Sequence, residues 1–308
     1  MSDLLVRWAG RDRVRRAAVS NPAVRDLVAR YVAGERLDDV LPVLHSLVDK
    51  GLLVSVEYLG LPVAALADAR TNQAGYLDLI ARLVDEDLAG VSEVSIRLSL
   101  LGLDLGRDGE AFALEAARRI TRAASNAGAL ATLDMDGIET TDATLGAWTE
   151  LIQDLPRTGI TVQAELHRTE RGLANLAMPG VRVRLVKGAF QESRAQAFRN
   201  GHEIDLAYVR CLRRLMNSQA VPLVATHDPR LVAIAEELVR RSGRASDSYE
   251  FQMLYGVRPL ELRRLADIGH QARSYVPFGP GWYDYYLRGL VERPANVALF
   301  LRSLLGKR

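Results

Sequence analysis

The stretch from residue 181 to residue 190 reads Val-Arg-Val-Arg-Leu-Val-Lys-Gly-Ala-Phe, and it decides the fold. Valine and leucine alternate with arginine, a period of two that predicts a β-strand with one buried face. The strand ends at Lys187 and Gly188, and residues 192–198 favour a helix after this turn. A lysine and the backbone N–H groups of such a turn can together hold an anion. The spacing leaves a second interpretation equally open, in which the arginines face solvent.

Seven further β-rich segments recur along the chain, and amphipathic stretches typical of helices lie between most of them. The eight predicted strands are 52–57, 93–98, 130–134, 160–165, 181–187, 221–227, 249–253 and 273–277. Eight strands that alternate with helices are the count of a (β/α)8 barrel, so the sequence predicts an α/β fold of the TIM-barrel type. Helical periodicity before the first strand predicts that residues 1–50 form a helical N-terminal arm and residues 51–308 the barrel.

Composition narrows the class of protein. A chain of 308 residues, 48% of them hydrophobic, can bury one large core. The net charge of +2 comes from interleaved signs and gives no basic patch for nucleic acid. A single cysteine excludes an internal disulfide and is typical of a reducing compartment. Because we find no secretory signal and no apolar run of about 18 residues, we expect a cytoplasmic protein with at most peripheral membrane contact and no nucleic-acid partner.

Polar or ionisable residues close nearly every predicted strand. They are Glu57, Arg97, Asp134, Glu165, Lys187, His227, Gln252 and Tyr275. Since the carboxyl ends of barrel strands meet at one rim, we expect these side chains to converge on a polar mouth that holds a ligand.

Several chemistries can be weighed against that mouth. The five histidines form no i, i+4 metal-binding pair and one cysteine cannot build a zinc cluster, so we expect no metal. A metal-dependent barrel lyase is further disfavoured by the basic residues around Arg184. Neither a Gly-x-Gly-x-x-Gly motif nor a Walker lysine occurs, which argues against a Rossmann or P-loop nucleotide site. Phosphates and a carboxylate could be neutralised by Arg184, Lys187, Thr226, His227 and Arg288. The aromatic residues at 282–286 indicate a flat ligand or, equally, a packed cap over the barrel.

Four blocks of the sequence resemble the signature of the proline dehydrogenase family. They are residues 183–189 (Val-Arg-Leu-Val-Lys-Gly-Ala), 225–229 (Ala-Thr-His-Asp-Pro), 250–256 (Glu-Phe-Gln-Met-Leu-Tyr-Gly) and 275–279 (Tyr-Val-Pro-Phe-Gly). The resemblance implies a distorted (β/α)8 barrel that binds FAD without a Rossmann fold. It also implies the reaction: a hydride leaves the carbon beside a secondary amine nitrogen for flavin N5, proline becomes an imine, and the electrons pass to a quinone.

The same resemblance implies roles for single residues. Arg184 would lie near flavin N5, where its charge stabilises the reduced ring, and Asp134 would orient the cationic groups. The other cofactor-binding positions would be Gln163, Val186, Lys187, Gly188, Thr226, His227 and Glu292. The substrate would contact Leu254, Tyr275, Tyr285 and Phe190, with its carboxylate at Arg288 and Arg97.

Five positions depart from the family pattern. Arg97 replaces a lysine, Phe190 a tyrosine and Gly289 a second arginine, while Asp136 replaces a glutamate and Glu165 a tyrosine. The first three belong to the substrate shell, so we expect a working flavin site with an altered substrate pocket. Proline, a related amino acid, and an N-substituted or hydrazine-type amino acid stay open as substrates. A biosynthetic role and a flavin-binding relative without turnover stay open as well.

Overall fold

The computed structural model describes residues 28–188, 192–283 and 285. Eight parallel strands form a closed barrel in chain order, and the last strand pairs with the first. The strands are β1 (Leu53–Tyr58), β2 (Ser92–Arg97), β3 (Leu130–Asp134), β4 (Gly159–Gln163), β5 (Arg182–Val186), β6 (Val221–Ala225), β7 (Glu250–Leu254) and β8 (Ala272–Phe278). The predicted (β/α)8 barrel is therefore confirmed.

Helices alternate with the strands along the chain. They are α1 (Leu37–Val48), α2 (Leu66–Asp85), α3 (Arg107–Asn126), α4 (Thr141–Asp154), α5 (Thr169–Gly172), α6 (Gly201–Met216), α7 (Pro229–Ser242) and α8 (Pro259–Asp267). Within the described residues, we find no helix long and apolar enough to cross a bilayer.

The start and end of α7 show how the sequence sets a helix beside the future site. Asp228 is its N-cap and accepts a hydrogen bond from the Arg230 N–H at 3.0 Å. Pro229 follows at the first helical position, where a missing N–H costs nothing. Gly243 ends the helix at φ 62°, a left-handed conformation that favours glycine. The N-terminus of α7 is thereby fixed at the carboxyl end of β6.

Both faces of β5 are buried, so the interpretation in which the arginines face solvent is wrong. Val183 and Leu185 face outward into the apolar layer between strands and helices, where both are fully buried. Arg182 and Arg184 face into the barrel and are 8% and 2% exposed. The arginines do not face solvent, because the barrel interior supplies their partners.

Of the predicted N-terminal arm, the structure describes residues 28–50. Val40, Leu41 and Leu44 of α1 are buried in the same core as the strands, and the Ala33 N–H donates to the Pro277 carbonyl at 2.9 Å. Residues 1–27 lie outside the described part of the chain. The division into an arm and a barrel stays a prediction.

The helix predicted over residues 192–198 is wrong, because these residues form a turn and an isolated bridge instead. Ala197 pairs with Leu166 in an antiparallel bridge. The Phe198 N–H donates to the Glu165 carbonyl at 2.8 Å, and the His167 N–H donates to the Gln196 carbonyl at 3.0 Å. These long-range backbone bonds hold the turn against the end of β4, which overrides its local helical pattern.

Candidate active site

Charged side chains from β2, β5, β7 and β8 meet in the lower part of the barrel interior. Arg182 Nη2 donates to Glu250 Oε1 at 2.8 Å and to Glu93 Oε2 at 3.2 Å. Arg273 Nε donates to Glu250 Oε2 at 2.7 Å, and its Nη1 donates to the Val54 carbonyl at the same distance. All four charged residues are buried. Buried charges need such pairing because desolvation is costly.

Arg184 lies above this layer and uses every N–H group of its guanidinium. An arginine side chain has five N–H donors, and here they reach Gln252 (2.8 Å), Ser95 (2.9 Å), Asp134 (2.6 Å), Ser55 (3.1 Å) and Glu93. Burial disfavours the charged form of the guanidinium, but the carboxylates of Asp134 and Glu93 favour that form more strongly. The pKa of Arg184 is therefore raised. Its Cζ atom lies 5.1 Å from the centre of the Tyr275 ring. Arg184 can therefore offer a ligand its charge and its planar face, with no N–H left to donate.

Asp134, the last residue of β3, collects three donors. Its Oδ1 accepts from Arg184 and from the Thr161 hydroxyl, both at 2.6 Å. Its Oδ2 accepts from the Tyr275 hydroxyl at 2.6 Å. Burial raises the pKa of this carboxyl, but Arg184 and Arg97 more than offset it, so the pKa is lowered. Burial, followed by the charge of Asp134, raises the pKa of Tyr275, which keeps its hydroxyl a donor. Asp134 thus links the guanidinium of Arg184 to the hydroxyl of Tyr275.

Arg97, the last residue of β2, forms a second charged group beside the first. Its Nε donates to Glu57 Oε1 at 2.6 Å, and its Nη1 donates to Asp136 Oδ1 at 3.2 Å. Its Cζ lies 5.9 Å from the centre of the Tyr285 ring. Burial raises the pKa of Glu57, although Arg97 acts in the opposite direction. Two carboxyl groups therefore hold Arg97 at the mouth, and the described contacts use only Nε and Nη1 of its guanidinium.

Lys187, predicted to bind a cofactor, contacts two carboxylates. Its Nζ lies 2.5 Å from Asp205 Oδ1 and 3.0 Å from Asp228 Oδ2. Asp228 also accepts the Arg230 bonds, and these, against a smaller effect of burial, lower its pKa far below the usual range. The charge of Lys187 is thus balanced locally, and the lysine lies between β5 and the N-terminus of α7.

His227 lies next to this group, just beyond β6. Its Nε2 accepts the backbone N–H of Leu254, the last residue of β7, at 2.8 Å. Burial, with a smaller contribution from Arg258, lowers the pKa of His227 to about 4. At neutral pH the ring is uncharged, so it contributes a hydrogen bond and no positive charge. Thr226 is buried beside it and accepts the Asp228 N–H at 3.2 Å.

Unpaired acceptors at the mouth fit a ligand that carries N–H groups. Gln163, at the end of β4, donates through Nε2 to the Asp136 carbonyl at 3.3 Å. Gln163 Oε1, Asp136 Oδ2 and Glu57 Oε2 are buried and have no hydrogen-bond partner among the described residues. Gly188 has a φ of +120°, which favours glycine, and a Cβ there would overlap the Glu165 side chain. The backbone at Gly188 is thus closely packed against Glu165.

The structure brings most of the predicted site residues together at one end of the barrel. Arg184, Asp134 and Tyr275 form one connected network. Arg97 belongs to the second group beside it, with Glu57, Asp136 and Tyr285. The positions that lie at or near the ends of the strands around it are Gln163, Val186, Lys187, Gly188, Thr226, His227 and Leu254. Leu254 is 37% exposed. Phe190, Arg288, Gly289 and Glu292 lie outside the described residues.

Sequence reasoning missed the polar residues inside the barrel. Glu93 is the second residue of β2, and Ser55 lies in β1 between Val54 and Val56. The signal was available as a period of two, for example Glu93, Ser95 and Arg97. In a barrel whose outer surface is covered by helices, the polar half of such an alternation has to face the interior.

A closed parallel barrel with polar groups gathered at the carboxyl ends of its strands has the architecture of a barrel enzyme. The proline dehydrogenase family model matches residues 40–298. Proline dehydrogenase 1 of Bacillus subtilis is 32% identical over 278 residues, which cover 90% of each chain. Proline dehydrogenase of Deinococcus radiodurans is 30% identical over 284 residues, covering 91% of this chain and 90% of that one. The chain belongs to the proline dehydrogenase family, and the predicted class, an oxidoreductase acting on a CH–NH donor, is confirmed.

Solved structures agree with the fold. Proline utilization A from Bdellovibrio bacteriovorus, inactivated by N-propargylglycine, superposes with a TM-score of 0.79 at 23% identity, covering 87% of this chain and 32% of that one. A variant of proline utilization A from Bradyrhizobium japonicum gives a TM-score of 0.71 at 21% identity, covering 88% and 32%. The chain thus spans about a third of those longer proteins, and the barrel is what they share.

Proposed function

We propose that the protein is an FAD-dependent dehydrogenase that oxidises the C–N bond of proline or a related amino acid to an imine and passes the electrons to a quinone or another acceptor. The observation that carries this proposal is the Arg184–Asp134–Tyr275 network at the mouth of a barrel from the proline dehydrogenase family. A buried, ion-paired arginine at the ligand-facing end is costly to retain without a use. A relative that only binds flavin would have little need of it.

The residues present fit a flavin. Gln163 Oε1 is a buried acceptor without a described partner, which suits a ring N–H. Val186, Lys187 and Gly188 would lie along the ring and its chain, and Thr226 with His227 nearer the phosphates. Glu292 would add a further contact. When bound, FAD would supply the acceptor for the hydride.

The side chains of the mouth would then orient the substrate and stabilise charge. Arg184 supplies a fixed positive charge where negative charge develops, and Asp134 holds that charge in place. Leu254, Tyr275 and Tyr285 provide an apolar and aromatic wall that excludes water, to which Phe190 would add.

We further propose that the substrate pocket is altered. Glu57 and Asp136 take Nε and Nη1 of Arg97, which leaves Nη2 to reach a carboxylate together with Arg288. Gly289 removes a second cation next to Arg288 and opens space. Free proline should then be a poor substrate, and an acyclic, N-substituted, hydrazine-type or bulkier amino acid a better one, in a biosynthetic setting.

The absorption spectrum of the purified protein tests the first part of the proposal. We expect a yellow protein with non-covalent FAD, whose absorbance bleaches anaerobically on addition of the right amine. A panel of proline, N-alkyl amino acids and hydrazine-type analogues identifies that amine. A colourless protein that also fails to take up added FAD would overturn the flavin assignment.

The variant Gly289→Arg tests the altered pocket. Restoring a second arginine should raise proline turnover and depress the native reaction. Gly146→Arg is the matched control, because Gly146 lies exposed in α4 with open space around it and should change neither rate. If wild-type protein oxidises proline efficiently and Gly289→Arg improves nothing, the pocket accepts proline as it stands.

A further inference from the structure

We propose that Glu93 is a positioning residue for the reaction, because it fixes Arg184 from below and moderates the positive charge that Arg184 presents at the mouth. The inference rests on the proposed flavin-dependent function and extends it to a residue in the barrel interior that no ligand would touch. It concerns the strength of the positive potential that Arg184 produces at the mouth and the orientation of its guanidinium.

The carboxylate of Glu93 is fully buried and receives four donors. Oε1 accepts from Arg184 Nη2 and from the Ser55 hydroxyl at 2.9 Å. Oε2 accepts from the Thr132 hydroxyl at 2.9 Å and from Arg182 Nη2 at 3.2 Å. A carboxylate held from both sides by this many groups has a single available position. Glu93 is therefore a fixed anchor.

Two anions grip opposite branches of the Arg184 guanidinium. Asp134 takes Nη1 from the mouth side, and Glu93 takes Nη2 from the interior side. Asp134 also accepts the hydroxyl of Tyr275, a residue proposed to contact the substrate, so its own position is tied to the ligand. Glu93 has no such connection, since its partners lie inside the barrel on β1, β3 and β5. The interior anion thus sets the plane of the guanidinium independently of what binds above.

The same pair of anions also limits the charge. An arginine between two carboxylates projects a weaker positive potential than an arginine with one, because the interior screens charges poorly. A reduced, anionic flavin above the mouth would be stabilised by whatever positive potential remains. Removing the charge of Glu93 should therefore favour the reduced flavin, while the loosened guanidinium should slow the hydride transfer.

Glu93→Gln tests this prediction, because it keeps the size of the side chain and removes its charge. In the flavin-loaded protein, we expect the oxidised-to-reduced equilibrium to shift at least tenfold toward the reduced form, about 30 mV upward for a two-electron couple. The maximal rate of flavin reduction should fall at least threefold although the driving force rises. A residue with a merely structural role would move neither quantity in this opposed manner.

Two control variants separate the charge of Glu93 from other losses. Ser95→Ala removes a neutral acceptor from the same guanidinium. Glu250→Gln removes an equally buried anion whose arginine partners are Arg182 and Arg273 rather than Arg184. Each should shift the flavin equilibrium by less than threefold.

The outcomes are distinct. An unchanged or lowered midpoint potential in Glu93→Gln, or an equal rise in Glu250→Gln, overturns the role of Glu93. If Glu93→Gln does not fold, Glu93→Asp replaces it in the test, because the shorter side chain moves the negative charge away from Arg184 by one methylene. The flavin equilibrium should then shift at least threefold toward the reduced form. An unchanged midpoint potential in Glu93→Asp overturns the role of Glu93. A wild-type protein that binds no flavin removes the proposed function itself, so the two failures can be told apart.

Discussion

Arg184 holds its charge with every N–H group already engaged, and this decides how it can act on a ligand. Hydrogen bonds to Asp134 and Glu93 fix the guanidinium, while Ser55, Ser95 and Gln252 take the remaining donors. A ligand above it meets a preorganised charge that does not have to reorient during the reaction, which is the most effective form of electrostatic stabilisation.

Arg184→Met should slow flavin reduction at least tenfold, equivalent to about 1.4 kcal/mol of activation free energy. It should also lower the free energy of unfolding by about 3–5 kcal/mol, because Asp134 and Glu93 would be left as buried charges without their main partner. Stopped-flow reduction by the substrate identified from the amine panel and urea unfolding measure the two effects. Arg184→Lys is the control, since it keeps the positive charge without the planar guanidinium. It should reduce both the rate of flavin reduction and the free energy of unfolding by less than Arg184→Met. Reduction at the wild-type rate in Arg184→Met would show that the charge plays no part in the chemistry.

At the scale of elements, the ends of β6 and β7 are joined by a side chain rather than by strand pairing alone. The register between the two strands ends at Ala225 and Gln252. Beyond that point His227 accepts the Leu254 N–H, which leaves the Leu254 side chain at the mouth. This bond requires an unprotonated Nε2, which agrees with the lowered pKa of His227.

The stability of the protein should therefore depend on pH through His227. The pKa is about 4 in the folded chain against an ordinary value of 6.5, so between these values the unfolded chain binds a proton that the folded chain does not. The contribution of His227 to the free energy of unfolding is fully present above about pH 6.5 and is lost as the pH falls toward 4. The free energy of unfolding changes through this residue by at most about 1.4 kcal/mol per pH unit. His227→Gln should flatten the pH dependence of urea unfolding in this window. The matched control is His202→Gln, on the exposed first turn of α6. A pH slope in His227→Gln no flatter than in this control would contradict the assignment.

The existence and order of the strands could be predicted from the sequence, because each is a short β-rich run between helical patterns. Their ends could not be placed as well. The predicted fourth strand extends to Glu165, but β4 ends at Gln163, whose carbonyl accepts the Thr169 hydroxyl at 2.6 Å. A side-chain hydroxyl that donates to a backbone carbonyl a few residues away competes with strand pairing, and it can end a strand without a change in the hydrophobic pattern.

At the scale of the whole molecule, the barrel has an apolar layer outside its strands and a charged interior. The mouth could be predicted from the strand ends, because parallel strands bring their carboxyl ends to one rim. The interior pairs could not, since Arg184 and Glu93 are 91 residues apart and Arg273 and Glu250 are 23 apart. Which of these side chains meet depends on the closure and register of all eight strands, and a local pattern in the sequence does not reveal either.

The interior network should also carry much of the stability of the barrel. Arg273 is 2% exposed and binds both oxygens of Glu250, at 2.7 and 3.0 Å, and the Val54 carbonyl. Arg273→Met fills similar space but leaves Glu250 with Arg182 as its only cation among the described residues. We expect the free energy of unfolding to fall by about 3–5 kcal/mol, because the buried carboxylate of Glu250 loses one of its two arginine partners.

The matched control for this change is Arg240→Met on α7. Arg240 pairs with Glu237 at 2.7 Å, as closely as the buried pair, but its side chain is 72% exposed. An exposed ion pair contributes little to the free energy of unfolding, since water already solvates both partners. Urea unfolding of the two variants at neutral pH compares the same loss of a charge in two surroundings. If Arg273→Met unfolds at the same urea concentration as Arg240→Met, burial does not amplify the interaction, and the charged interior serves the site at the mouth without holding the barrel together.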